Sequence, residues 1–393
     1  MYDQRKEAIR QRLAGQKPRF ICYNLDRSES WFFKWWNRYK RFGSDGLDDL
    51  SRAAYIVANK TGPSLETAIL GIREQLELRD TEETRYGLIG SPTIAREMQQ
   101  LGYSQAEIPP LRTIEYILQR NQKTHPIAQT KKEKWNRKDY PAPPAIEPND
   151  VQQIDLVGPR YLTGQSTKYY FLVIKDIVGK AVFVDVVDNR KADTIVLFQA
   201  EGWQNIGLPK VLQMDNGSEF IGSPRYPKSL SRPIKLCLYL GIEILFIPPK
   251  SPWRNGCVEN FNGLLDELMI RTQRLTNYEQ MRLEARIFTK VCNSRHPHPA
   301  LNYLTAMEYR QQHPVQLLPP DFQLPNWKKS PKQGTISFIR MVRKSGRITL
   351  LQEKFDIDPD LKWEYVYASI VIHEQKLKIW HKGSLIKMFD YQL

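Results

Sequence analysis

The sequence predicts a multidomain α+β protein with helical modules in front, a mixed α/β core in the middle and a small all-β unit at the end. Three observations lead there. The first 122 of the 393 residues carry apolar positions at helical spacing, with capping residues and glycine stops. From Val151, runs rich in β-branched residues alternate with helical stretches in the order strand, strand, strand, helix, strand, helix, strand, helix. That order gives a mixed five-stranded sheet with helices on both faces. From about Gly334, short β-branched and aromatic runs are separated by turn residues, the pattern of a small antiparallel barrel.

The front divides in two. "QRKEAIRQRLAG" is a run of helix formers ending on glycine. In "LDRSESWFFKWWNRYKRFG" Asp26 and Glu29 have capping-box spacing and Gly43 is a stop. Trp31, Trp35 and Tyr39 share one face of that helix, with Phe32, Trp36 and Phe42 beside them. Arg27, Ser30, Lys34, Arg38 and Arg41 recur three or four residues apart on the opposite side. A helix that packs on aromatics and shows a basic stripe suits the recognition helix of a helix-turn-helix unit; it equally suits an ordinary amphipathic surface helix. This unit is assigned to residues 1–50. A second helical unit covers 62–122. It contains "PSLETAILGIREQLELR", then "SPTIAREMQQLG" with Ser91 as N-cap and Pro92 in the first turn, then a helix exposing Arg112, Glu115, Gln119 and Arg120. Two such units in series read as two DNA-reading modules.

Residues 123–150 are rich in Pro and Lys and lack apolar periodicity, as an extended linker does. Lys131, Lys132, Lys134, Arg137 and Lys138 there either track phosphates or keep the linker solvated. The core is assigned to 151–315. It opens with "VQQIDLVG" and continues with two β-rich runs joined at Gly179-Lys180, a hairpin signal. Helix, strand, helix, strand follow, and the long helix "NGCVENFNGLLDELMIRTQR" comes next. The barrel is assigned to 330–393.

Charge narrows the partners. The net charge is +15, and residues 326–393 alone hold 13 basic against 7 acidic side chains. Such an excess favours a polyanion. No apolar run reaches about 18 residues, and the N-terminus lacks a signal-peptide core, so a membrane partner is not expected. Four separated cysteines suit a reducing compartment and give no zinc or disulfide framework. His296 and His298 are close in sequence, but no nearby cysteine completes a zinc set.

Three acids then stand out. Asp155 lies inside the first strand, where a charge is costly unless a cation compensates. Asp215 ends the fourth strand, and strand ends adjoin the ligand crevice of open α/β sheets. Glu259 sits about one turn into the last core helix, in "SPWRNGCVEN", on one face with Asn255, Asn262 or Gly263, and Asp266. If the first and fourth strands are neighbours, the three converge. Clustered carboxylates repel in a low-dielectric cleft, and hard divalent ions such as Mg²⁺ or Mn²⁺ remove that penalty. A pair of such ions serves phosphoryl transfer. Plainer readings exist for each: a strand-edge acid, a turn former before Asn-Gly, a solvated helix residue. Asp176, Asp185, Asp188 and Asp266 are competing acids that lack a strand end beside a glycine turn.

At these residues the chain resembles the DDE transposases of bacterial insertion sequences, which have a retroviral-integrase-like catalytic core. The matching stretches are "VQQIDLVGP", "LQMDNGSEF", "PPKSPWRNGCVENFNGLL" and "CNSRHPHPALNYLTAMEYR", in order, over roughly 151–312. The resemblance implies an RNase H-like fold with Asp155, Asp215 and Glu259 as a triad holding two Mg²⁺ or Mn²⁺ ions. It implies cleavage at mobile-element ends and joining of the 3′ ends to target DNA. Helix-turn-helix units in front and a barrel behind also fit. Asn216 is expected to orient the site, and Lys250, Trp253 and Arg254 to line a DNA-facing loop, Trp253 equally suiting core packing. The implied partners are double-stranded DNA, further copies of the chain and a helper ATPase, in the cytoplasm at the nucleoid. Departures are the 43 residues between Asp215 and Glu259, His296 and Ala306 at two usual prolines, and no zinc module. The rivals are an RNase H-like nuclease that does not join, and a domesticated DNA-binding regulator.

Overall fold

A computed structural model describes residues 2–49, 61–124, 139–162, 164–222, 228–249 and 251–393. Lys131, Lys132, Lys134, Arg137, Lys138 and Lys250 lie outside the described residues, as does the side chain of Trp253. The chain forms two compact units, 1–62 and 63–393.

Among its described residues the first unit has three helices, α1 (Tyr2–Leu13), α2 (Pro18–Leu25) and α3 (Glu29–Phe42), closed by a 3-10 turn over Gly43–Leu47. The sequence reading passed over α2, whose start is marked by Pro18 in the first turn. Asp26 is not the N-cap of α3. It ends α2 in a left-handed conformation, and Ser28 caps α3 by accepting from the Trp31 amide at 3.2 Å. On α3 the buried aromatics are Phe32 and Trp35, while Trp31, Trp36 and Tyr39 are half-buried and Phe42 is exposed. Phe32 packs with Ala8, Ile21 and Cys22; Trp35 packs with Ile9 and Leu47. Gly46 lets the closing turn approach α3: a Cβ there would stand 2.4 Å from the Arg38 carbonyl oxygen.

The second unit begins with α4 (Pro63–Leu78), α5 (Ser91–Gln100) and α6 (Leu111–Arg120) around Ile69, Ile94, Met98, Ile114 and Ile117. Gly90, not Ser91, is the N-cap of α5. This helical segment is tied to two helices later in the chain, Tyr278–Arg295 and Ala306–Gln312. Tyr86 donates to Glu284 at 2.5 Å, Arg85 pairs with Glu284 at 2.8 Å, and Arg96 pairs with Glu308.

Strands β1 (Val151–Arg160), β2 (Tyr169–Asp176) and β3 (Val182–Val187) run antiparallel; β4 (Val211–Met214) and β5 (Glu243–Phe246) add parallel to β1. Helix α7 (Ala192–Ile206), the short α8 (Ser218–Ile221) and α9 (Arg232–Tyr239) cover one face, with Trp203, Phe220 and Leu236 in its core. On the other face α10 (Gly256–Leu265), continued by a π-helical turn to Ile270, and α11 (Tyr278–Arg295) bury Val258, Phe261 and Phe288. All of β2 is buried because both of its faces are covered. Helix α12 (Ala306–Gln312) opens with a Thr305–Glu308 capping box.

The expected five-stranded sheet is in fact nine-stranded. Strand β6 (Thr335–Met341) pairs parallel to β5, and β9 (Tyr365–Val371), β10 (Lys376–His381) and β11 (Ser384–Asp390) continue outward. Among the described residues, β7 (Arg347–Leu350) and β8 (Glu353–Asp356) form a separate hairpin. Closure into a barrel is not among the described pairings. The reason lies in β5, which ends the five-stranded set with an open row of amides and carbonyls. Strand β6 satisfies that row, and Phe338 stacks on Phe246 at 5.1 Å. Among the described residues no helix is long and apolar enough to cross a membrane.

Candidate active site

The site follows from one register. Strand β1 pairs with β4 through Val151–Val211, Gln152–Leu212 and Gln153–Gln213. Two residues beyond the last pair come Asp155 and Asp215. Side chains two apart share a sheet face, so both acids follow Gln153 and Gln213 onto the same side. The glutamines hold the helix that carries the third acid. Gln153 Oε1 accepts from the Val258 amide at 3.0 Å, and Gln213 Nε2 donates to the Arg254 carbonyl at 3.0 Å and to Asn255 Oδ1 at 3.2 Å. Asn255, 2% exposed, donates to the Ile154 carbonyl. The start of α10 is thereby fastened across β1 and β4, and Glu259 lies in its first turn.

The carboxylates sense one another. Burial raises the pKa of Asp155; Glu219 adds to the rise, while the Leu156 amide and Asn262 oppose it. Asn262 Nδ2 donates to Asp155 Oδ2 at 2.6 Å. Asp215 is raised by burial and then by Asp155 and Glu219, against a 2.9 Å bond from the Gly217 amide. Glu259 is raised by burial and by Asp155. The sequence reading missed Glu219, a fourth acid in the first turn of α8. Its signal was Gly217, where a Cβ would stand 2.8 Å from Glu219 Cδ and 3.0 Å from Asp215 Oδ1. Asn216 donates to the Ile247 carbonyl at 2.6 Å, and its Oδ1 accepts from Arg340 at 2.7 Å.

The competing acids are engaged elsewhere. Asp185 is buried and paired with Arg282 at 3.0 Å and Arg286 at 2.9 Å. Asp266 pairs with Arg160 at 2.8 Å and Arg271 at 2.6 Å. Asp176 accepts from the Val178 and Gly179 amides, and burial pushes its pKa up to about 6. Asp188 is exposed beside Asn189. His296 is buried, with its ring bonded at the Tyr86 carbonyl.

The basic candidates divide by environment. Lys34 and Arg41 are exposed on α3. Arg27 donates to Gln4, and Arg38 donates to the Asp48 carbonyl at 2.6 Å with its guanidinium 4.6 Å from the Trp35 ring. Arg112 pairs with Glu115 and Arg120 with Glu66. Arg254 lies over Tyr140 at 3.9 Å and Tyr365 at 5.4 Å, so its guanidinium is engaged in packing.

Among the described residues no three or more acid, imidazole or thiol side chains are grouped so that they could hold a metal ion. The chemistry of the set nonetheless fits a hard divalent cation. The donors are all oxygens, the acids raise each other's pKa values, and Asn262 Oδ1 is buried with no partner.

Residues 240–305 match the family described as "Integrase core domain", a stretch that contains Glu259 and Asn262 but neither aspartate. Over 133 residues the chain is 28% identical to the transposase InsI for insertion sequence element IS30A of Escherichia coli, covering 33% of this chain and 31% of that one. Over 85 residues it is 31% identical to the transposase for insertion sequence element IS1086 of Cupriavidus metallidurans, covering 22% and 24%. The chain thus spans less than a third of the length of the curated relatives it matches. The HTLV-2 integrase catalytic core domain in complex with magnesium aligns with 42% of this chain and 98% of its own, at 18% identity and TM-score 0.33. Residues 240–305 are thus similar to the integrase core domain family, and through about a third of its length the chain is similar to transposases of bacterial insertion sequences.

Proposed function

We propose that the chain cleaves phosphodiester bonds at the ends of a mobile DNA element and joins the freed 3′ ends to a target DNA. The observation that carries this reading is the β1–β4 register, which sets Asp155 and Asp215 on one face beneath the helix bearing Glu259. Water opens the phosphodiester at the element end and leaves a 3′-hydroxyl. That hydroxyl attacks a target phosphodiester, one P–O bond forming as another breaks. Asp155, Asp215 and Glu259 would hold a pair of Mg²⁺ or Mn²⁺ ions, which would supply charge stabilisation at the reacting phosphate. Asn262 fixes the Asp155 carboxylate, and Asn216 fixes the turn after Asp215. Gln153 and Gln213 set the distance of α10 from the strands.

The remaining parts serve DNA. Helix α3, with Arg27, Lys34, Arg38 and Arg41, reads element ends as the second helix of a helix-turn-helix. Arg112 and Arg120, the lysines of the linker and Lys250 follow the backbone, the surface pairs of Arg112 and Arg120 being weak enough to exchange for phosphate; Arg254, held over Tyr140, is left out of this set. Two ends must meet, so the chain works as a homo-oligomer on double-stranded DNA, in the cytoplasm at the nucleoid. A helper ATPase completes the proposed set.

The test is a joining assay with Mg²⁺ or Mn²⁺, DNA carrying candidate ends, and supercoiled target plasmid. Wild type is expected to give joined product. Asp155→Asn, Asp215→Asn and Glu259→Gln are expected to lose at least roughly a thousandfold in rate, about 4 kcal/mol of barrier, with end binding kept. Nicking without joining in wild type would replace this reading by a nuclease, and binding without chemistry by a regulator.

A further inference from the structure

We infer that Arg340, on the first strand of the C-terminal segment, is a positioning residue for the Asp215 turn and acts through Asn216; this rests on the function proposed above. Arg340 is only 6% exposed and stands two residues beyond Phe338, the partner of Phe246 on β5. Its guanidinium donates to Asn216 Oδ1 at 2.7 Å from Nη2 and to the Ile247 carbonyl at 3.0 Å from Nη1. Asn216 Nδ2 donates to the same carbonyl at 2.6 Å, so three groups close a ring. Arg340 Nε adds a bond to the Thr349 carbonyl at 3.3 Å. The Ile247 amide in turn donates to the Met214 carbonyl at 3.1 Å. The residues on either side of Asp215 are therefore held from β5 and β6, by a side chain 124 positions away from Asn216.

The arrangement is costly unless it has a use. Among the described residues no carboxylate is paired with Arg340, and burial pulls its pKa down to about 10. A methionine of similar length would pack beside Phe338 without that cost. What arginine alone offers is a rigid fork that reaches two acceptors at once. Arg340 reaches the Asp215 turn through its bonds to Asn216 and the Ile247 carbonyl, so it acts by geometry. A residue that orients the support of a metal-holding carboxylate changes affinity and rate rather than DNA binding.

The experiment uses the full chain. Mn²⁺ affinity without DNA, and cleavage rate with saturating end DNA, are measured for wild type, Arg340→Met, Arg340→Lys, Asn216→Ala, the Arg340→Met/Asn216→Ala double variant, and Asp215→Asn as the reference for a lost ligand. Arg340→Met and Asn216→Ala are each expected to weaken Mn²⁺ binding and slow cleavage by roughly tenfold to a hundredfold, with end-DNA affinity within about twofold. The double variant is expected to lose no more than the worse single one, because both break one ring. Arg340→Lys, one donor point in place of a fork, is expected to fall between. Wild-type Mn²⁺ affinity in folded Arg340→Met, or additive losses in the double variant, would overturn the inference. If Arg340→Met does not fold, Arg340→Lys and Asn216→Ala decide: wild-type affinity in both overturns it. If wild type cleaves no DNA, the proposed function fails, and the Mn²⁺ affinities still judge the ring.

Discussion

At the scale of the residue, the site is a set of carboxylates that fold against their own repulsion. Burial and the neighbouring Asp155 and Glu219 raise the Asp215 pKa, so the ionised form is held at a cost in the metal-free chain. Asp215→Asn removes one charge and keeps an oxygen to accept from the Gly217 amide. Its expected outcome is a higher melting temperature than wild type without metal, together with loss of chemistry. Added Mn²⁺ should raise the wild-type midpoint and leave that of the variant in place; differential scanning calorimetry with and without metal reads both. Asp155 and Asp215 stand out in the sequence because a charge inside or at the end of an apolar strand is rare enough to need a reason; Glu259, on a helix, stands out through its place in "SPWRNGCVEN". Glu219 does not, since it reads as an ordinary first-turn helix acid. Only the missing Cβ of Gly217 marks the contact. Arg340 was illegible for another reason: its partner is distant in the chain and nothing local calls for a buried cation.

At the scale of the element, two glutamines do what the sequence alone would assign to packing. Gln153 meets the first turn of α10 and Gln213 the turn just before it, so both bonds hold the start of the helix to the sheet. Replacing either by alanine leaves buried backbone groups without partners, at about 1–3 kcal/mol each. Gln153→Ala and Gln213→Ala are expected to lose stability of that order in denaturant titrations. The joining rate should fall further than stability explains, because Glu259 moves with its helix. The strand–helix order of the core was readable from its alternation of period, and the structure follows it. Helix α2 was not, because eight residues give too short a window for a helical period. The last strands read as a small antiparallel barrel, because sequence shows short strands with turns between them and does not say which edge they join. Strand β6 goes to β5 because Ile336 and Phe338 face the same cores as Ile244 and Phe246.

At the scale of the whole molecule, the two units carry separate tests. In the second unit His296 is buried, which pulls its pKa down to about 4, and His298 is pulled down to about 3. The unfolded imidazole takes its proton near 6.5, the folded His296 only near 4. Between those values the unfolded chain binds the extra proton, so stability falls as pH falls, by roughly 3 kcal/mol for His296. Asp176 works in the opposite direction over a narrower range, from 3.8 to about 6. Unfolding free energy is expected to drop from pH 7 to 4.5, and the drop to shrink in His296→Asn; an unchanged slope in that variant would remove His296 as its source. In the first unit, Lys34 and Arg41 are the exposed cations of the α3 stripe. Lys34→Ala and Arg41→Ala should each lower the slope of log affinity against log salt for end DNA by about 0.9. A slope unchanged in both would make α3 a surface helix.

The central claim is that Asp155, Asp215 and Glu259 form one metal site, and the most direct measurement is anomalous diffraction from crystals soaked in Mn²⁺. The account predicts Mn²⁺ peaks bound by Asp155 and Asp215, with Glu259 at the same site, and their disappearance in Asp215→Asn. Mn²⁺ bound elsewhere, with these three carboxylates bare at saturating metal, would contradict it.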